Sequence, residues 1–328
     1  MSTRRDRVLL TGASGFIGGH VLDALVSAGY PVRALVRPGS RWRLPEGVEL
    51  LTGDVRRSGD LARGMEGCRW LVHVAATYSF STRRRGEMHD VNVRGTASLL
   101  EAARIAGVER AVVTSSSSTV GPARNGCLAT EADHVEPEGH SAYHASKIEQ
   151  ERVALAARLP VVLVLPTAPI GARDRVPTPT GRMVLDVTRG RVPGVVSGGG
   201  INFVDVVDVA RAHVAALERG GDRERYIVGG VNLGLDEAFA LIAAAAGRRP
   251  PRLPIPYVAA FAAGAVDELR CRVTGAEPAV PLEGVRMARH RMWVDSSRAR
   301  NELGIAQSPI EPAIEAAVRW YRDNGYAV

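Results

Sequence analysis

The chain has 328 residues, 45% of them hydrophobic and 5% aromatic, with a formal net charge of +7. That length suits one large α/β unit, or a main domain with a smaller one. No apolar run reaches the roughly 18 residues of a bilayer span, and residues 1–7 lead into a strand-like run without a signal-peptide pattern, so the cytosol is the expected compartment.

Residues 8–10 read as a short buried strand, and a glycine-rich turn follows. Residues 16–28 carry apolar side chains at helical spacing and stop near Gly29. Strands are predicted at 32–36 and 48–51, a helix at 58–65, a strand at 71–75, a helix at 91–106 and a strand at 110–114. A helix at 143–157 and a sixth strand at 161–165 continue the alternation. Such a rhythm implies right-handed βαβ units, and hence an α/β, Rossmann-type doubly wound parallel sheet with ligands at the carboxyl ends of its strands. Beyond Pro166 proline and glycine become frequent. Residues 1–165 are therefore predicted as a dinucleotide-binding domain and 166–328 as a smaller substrate-binding part, with segments near 201–230 returning to the main sheet.

The positive charge is spread along the chain without interleaved aromatics, and Arg83-Arg84-Arg85 is a short run in a predicted loop, so no nucleic-acid partner is expected. Cys68, Cys127 and Cys271 are too widely spaced for a disulfide framework or a metal knot, and no metal is expected.

Thr11-Gly12-Ala13-Ser14-Gly15-Phe16-Ile17-Gly18 follows the first strand and opens the first helix. Glycine is needed where the turn takes unusual φ and where backbone approaches a pyrophosphate closely. The helix N-terminus adds free N–H groups and a favourable dipole. The second strand ends Leu35-Val36-Arg37-Pro38, with no carboxylate for a ribose hydroxyl. Arg37 instead suits a 2′-phosphate, so NADP(H) is preferred, with NAD(H) the alternative. Asp54 closes the third strand, placed either to meet the adenine edge or to cap the next helix.

Lys147 is the single lysine of the chain, whose 42 basic residues are otherwise all arginine. It stands four residues after Tyr143 in Tyr143-His144-Ala145-Ser146-Lys147, on one helix face. An ammonium beside a phenol would lower the tyrosine pKa and fit it for acid–base work. Thr114-Ser115-Ser116-Ser117-Ser118 begins at the carboxyl end of the fifth strand, where a hydroxyl can hold a substrate oxygen.

With these pieces, His73-Val74-Ala75-Ala76 and Asn92-Val93-Arg94-Gly95-Thr96, the chain resembles an extended short-chain dehydrogenase/reductase, of the NAD-dependent epimerase/dehydratase superfamily, from end to end. Residues 165–171, 177–181 and 284–288 are similar to the dihydroflavonol-reductase-like branch, and within it to the hopanoid-associated sugar epimerases. The resemblance implies catalytic Ser116, Tyr143 and Lys147. It implies cofactor contacts from Gly12, Ser14, Gly15, Phe16, Ile17, Gly18, Arg37, Asp54, Val55, Ala75, Ala76, Thr114, Pro166, Thr167 and Pro169, besides Tyr143 and Lys147. Thr77, Ser116, Ser118 and Tyr143 are the implied substrate contacts. Asn92 would brace the active-site helix, and a homodimer through the helices near 92–106 and 143–157 is the habit of the family.

Nucleotide-sugar enzymes of the superfamily usually carry an arginine where this chain has Ile201, in Ile201-Asn202-Phe203-Val204-Asp205. With Arg37, this favours a carbonyl reductase or alcohol dehydrogenase, with a sugar epimerase working through a transient keto intermediate as the alternative. A nucleotide-sensing regulator on the same fold would usually lack the Tyr143–Lys147 pair.

Overall fold

In the computed structural model, which describes residues 6–39, 45–78, 85–138, 141–274 and 282–327, the first apolar run becomes β1 (Val8–Thr11), buried along its length. The glycine-rich turn leads into α1 (Phe16–Ser27), β2 (Val32–Val36) and β3 (Glu49–Thr52). Next come α2 (Ser58–Met65), β4 (Trp70–His73), α3 (Arg85–His89), α4 (Thr96–Ile105) and β5 (Arg110–Thr114). They are followed by α5 (Ala142–Leu155), β6 (Val161–Pro166), β7 (Ala168–Ile170), α6 (Pro179–Thr188), β8 (Gly194–Val196) and β9 (Gly200–Asp205). The chain continues through α7 (Val206–Arg219), β10 (Arg225–Val228), β11 (Val231–Gly234), α8 (Leu235–Ala245) and β12 (Leu253–Ile255). Last are α9 (Tyr257–Thr274), α10 (Leu282–Met287), α11 (Ser297–Leu303) and α12 (Ile310–Asp323).

Seven parallel strands form the main sheet in the order β10-β6-β5-β4-β1-β2-β3. Helices cover both faces, which is why β1 and β6 read as unbroken apolar runs rather than alternating ones. One face packs Leu22, Leu25, Val209 and Leu303 from α1, α7 and α11. The other packs Leu61, Leu99, Leu100 and Ala154 from α2, α4 and α5. Each fully buried leucine of this kind contributes roughly 1.5–3 kcal/mol by leaving water. The strand order reverses between β1 and β4, so the loops that follow these strands diverge over a crevice.

A second core of Ile170, Phe203, Ile242, Ile314 and Tyr321 gathers α6, α8 and α12 around a three-stranded sheet, β11-β9-β7. Of the segments expected to return to the main sheet, β10 does so beside β6, and α7 covers that sheet. Phe203 and Val204 do not return. They lie in β9, paired with β11 and β7, because β7 leaves the main sheet just after Pro166 and β10 occupies the edge beside β6. The helix expected at 91–106 starts at Arg85 and contains a π-helical stretch, Asp90–Gly95. Arg83 and Arg84 lie outside the described residues.

Candidate active site

Two glycines of the first turn are dictated by close approach. Gly12 has φ +78°, and a Cβ there would lie 2.6 Å from the Ala75 backbone nitrogen. A Cβ on Gly18 would lie 2.0 Å from the Gly12 carbonyl oxygen. The turn therefore presses onto the loop after β4 and exposes the first N–H groups of α1, the arrangement a pyrophosphate requires.

A buried string of polar groups runs from this turn to the lysine. Thr96 Oγ1 donates to Asn92 O at 2.6 Å and accepts from Gln150 Nε2 at 2.9 Å. Its one hydrogen is thus committed, so His73 must donate through Nε2, 2.9 Å away. His73 Nδ1 is then bare and accepts from the Thr11 hydroxyl at 2.7 Å, while Thr11 Oγ1 accepts from Ala75 N at 3.3 Å. Burial holds His73 neutral, with its pKa down to about 3. At the other end, Lys147 Nζ donates to Gln150 Oε1 and, at 2.8 Å, to Thr114 O. Thr114 Oγ1 donates to His213 Nε2 at 2.8 Å, because His213 Nδ1–H is committed to Val209 O.

Asn92, inside the π-helical stretch, accepts from Thr77 N at 2.8 Å and donates to Thr77 O and to Ser146 Oγ, each at 3.0 Å. It ties the loop after β4 to α5, a local irregularity of the sort that π-turns create at functional sites.

Ser116 Oγ accepts from Ser118 N at 3.2 Å and from Ser118 Oγ at 3.0 Å. Its own O–H is left free to turn towards the Tyr143 phenol, with which Ser116 is hydrogen-bonded. The Tyr78 ring packs against that of Tyr143, centroids 4.3 Å apart. Burial pushes the Tyr143 phenol up to about 12, opposed by the Ser116 hydrogen bond. Burial likewise holds Lys147 down to about 7, opposed by the Glu151 carboxylate. The expectation that the ammonium lowers the phenol is therefore corrected. Lys147 turns to Thr114 O and Gln150 rather than to Tyr143, and desolvation sets the sign for both groups.

The glycine turn, Ser116, Tyr143 and Lys147 open on one cavity of about 700 Å³. Gly12, Ser14, Gly15, Phe16, Ile17, Gly18, Arg37, Asp54 and Val55 line it, as do Ala75, Ala76, Thr77, Thr114, Ser116, Ser118, Tyr143, Lys147, Pro166, Thr167 and Pro169. Arg37 is exposed and has no ion pair among the described residues. Asp54 does not cap α2, whose N-cap is Arg57. It pairs with Arg56 at 2.5 Å and is held down to about 2 by that guanidinium.

Sequence reasoning missed the far wall, which is built by Tyr78, Met183 and Val192 together with Leu235, Phe239, Met287 and Met292. Ile201 stands there too, and Arg182 and Asp186 of α6 bring charge to it. His144, next to Tyr143, also lines the cavity and meets Glu283 of α10 at 2.9 Å. None of these has a local spacing signal; the tertiary fold alone brings them together.

Residues 8–229 match the sequence profile of the NAD dependent epimerase/dehydratase family. The chain is 37% identical to a Synechocystis protein described as "Putative dihydroflavonol 4-reductase", over 98% of this chain and 96% of that one. It is 34% identical to sterol demethylase protein B of Methylococcus capsulatus, over 97% and 98%. The crystal structure of PA4631, a nucleoside-diphosphate-sugar epimerase from Pseudomonas aeruginosa, superposes with a TM-score of 0.81 at 25% identity, over 98% and 99%. The chain belongs to the NAD dependent epimerase/dehydratase family, the extended short-chain dehydrogenase/reductases. It is an enzyme with a Rossmann-type nucleotide-binding fold, and its relatives include both reductases and epimerases.

Proposed function

We propose that the protein is an NADP(H)-dependent carbonyl reductase or alcohol dehydrogenase, acting on substrates with a largely apolar body. The observation that carries this reading is the convergence of Ser116, Tyr143 and Lys147 on a cavity whose strand β2, three positions away in the sheet, ends in unpaired Arg37. Gly12, Ser14, Gly15, Phe16, Ile17 and Gly18 would hold the pyrophosphate, Arg37 the 2′-phosphate, and Asp54 and Val55 the adenosine. Ala75, Ala76, Thr114, Pro166, Thr167 and Pro169 would border the nicotinamide end, with the Lys147 ammonium on the ribose. When bound, the nicotinamide supplies the hydride.

Tyr143 supplies the proton. A phenol with its pKa pushed up to about 12 is protonated at neutral pH, which suits it to donate to an oxygen gaining negative charge. Ser116, both of whose contacts from Ser118 fall on its lone pairs, directs its O–H to the same oxygen. Thr77 and Ser118 flank it. The apolar far wall expels water and accommodates hydrocarbon. Relatives named for dihydroflavonol and sterol chemistry agree with an apolar substrate.

The second reading is a sugar epimerase that retains NAD(H) and returns the hydride to a rotated keto intermediate. Its support is the likeness to the Pseudomonas epimerase and the presence of Arg182 in the cavity. Denaturing the purified protein and identifying any released nucleotide separates the two. Stoichiometric NAD(H) would favour the epimerase and overturn the role given to Arg37. An empty protein that binds NADPH well ahead of NADH supports the reductase.

A further inference from the structure

Helix α9 turns its apolar side outward. At 100° per residue Val258, Ala262, Val266, Leu269 and Val273 fall within one narrow face. Val258, Val266, Leu269 and Val273 are 77%, 69%, 63% and 80% exposed, and Phe261 on the same helix is exposed too. A surface helix ordinarily does the reverse, and a contiguous exposed apolar strip marks a contact surface. The helix packs on α10, whose Gly284 and Met287 line the cavity, so α10 links the strip to the candidate active site.

The charge around the strip is one-sided. Residues 248–291 hold eight arginines and four carboxylates. Arg249, Arg252, Arg289 and Arg291 are exposed and have no ion pair among the described residues. Arg252 stands five residues before the start of α9, and the Arg289 guanidinium stacks 5.3 Å from the Tyr257 ring at that start. No helix among the described residues is long and apolar enough to cross a membrane. An apolar face flanked by unpaired arginines is the chemistry of a helix lying in the plane of a lipid–water interface.

We infer that the outer face of α9, with Arg252 and Arg289, is a docking surface for an anionic lipid bilayer. Its apolar strip enters the acyl boundary and its arginines meet the phosphate headgroups. A second copy of the chain is the poorer occupant, since like faces would set these cations against their own duplicates. The inference is independent of the nucleotide reading, but docking here would hold the cavity against a reservoir of apolar alcohols and ketones.

The test is flotation of the full chain, without nucleotide or substrate, with vesicles of phosphatidylcholine alone or mixed with phosphatidylglycerol. Because nucleotide is absent, a negative result would leave the proposed activity untouched. The protein is expected to float with the mixed vesicles and to be released by high salt. The pair Val266→Ser and Leu269→Ser should weaken binding by about tenfold or more, as should Arg252→Gln with Arg289→Gln. All four side chains are exposed, and an unchanged urea-unfolding transition would verify that the variants fold. Failure to float, or floating that the serine variant leaves unchanged, overturns the inference. So would a dimer in sedimentation that the serine variant dissociates, which would assign the strip to a second copy.

Discussion

Arg225 Nε sits 2.7 Å from Glu151 Oε1 with both side chains buried, directly behind the segment that carries Ser116. The contact is an ion pair rather than an aligned hydrogen bond, since that N–H finds no acceptor in line. Arg225 Nη1 donates instead to Glu131 O at 2.6 Å and Asp133 O at 3.1 Å. Glu151 Oε2 accepts from Ser115 Oγ at 2.6 Å and lies 3.0 Å from the Thr119 hydroxyl, so the carboxylate clamps both sides of Ser116.

Glu151→Gln should therefore be costly. It leaves Arg225 as a buried charge without its counterion, which typically destabilises by ~3–5 kcal/mol. Urea unfolding measures this, and a loss below ~1 kcal/mol would mean that hydrogen bonding by the glutamine suffices.

Tyr143→Phe removes the proposed proton donor and little volume. Turnover is expected to fall by about 10²–10⁴-fold, the usual worth of a positioned acid, while NADPH still binds. Nucleotide titration alongside steady-state rates checks both halves; loss of binding together with rate would point to a structural role instead.

Arg37→Gln tests nucleotide choice. A hydrogen bond to a charged group is worth ~1.5–3 kcal/mol, so NADPH binding should weaken roughly 10- to 100-fold with NADH almost unaffected. Equal weakening for the two nucleotides would place Arg37 away from the 2′-phosphate.

Stability should depend on pH through Lys147 and Tyr143 with opposite signs. Lys147 is held to about 7 in the folded protein, and an unfolded lysine keeps its proton up to ~10.4. Between these values the unfolded chain binds more protons, so stability rises with pH. Tyr143 is pushed to about 12 when folded, whereas an unfolded tyrosine loses its proton near ~10, so above that its contribution falls as pH climbs. Lys147→Met should flatten the rise seen by urea titration from neutral pH upward. An unchanged slope would show that the amine is not desolvated.

The parts of the site that were legible in the sequence are those set by local spacing. The glycine turn, the Tyr143–Lys147 pair and the serine-rich end of β5 each occupy a few consecutive residues on one element, and all line the cavity. Strand β4 ends at His73, two residues earlier than expected, because Val74 and Ala75 are drawn under Gly12. The far wall was not legible. Met183, Phe239 and Met287 come from three helices whose apolar residues fit any buried surface. Phe203 shows the same limit: its surroundings are apolar enough to demand burial, but nothing in the run says which sheet it joins. The direction of the Tyr143 shift also escaped, since spacing places a lysine on the same helix face without saying where its amine points.

The chain passes between the main sheet and the second core at Thr167, again where β9 runs into α7, and again between β10 and β11. Strand β10 completes the edge of the main sheet from beyond residue 220, and α11 covers a face of it from still further on. Any swing of one core against the other would therefore have to bend the chain at every crossing. The same threading means that no single cut yields a free-standing nucleotide-binding half, so a truncation ending near residue 165 is expected to be recovered as insoluble protein.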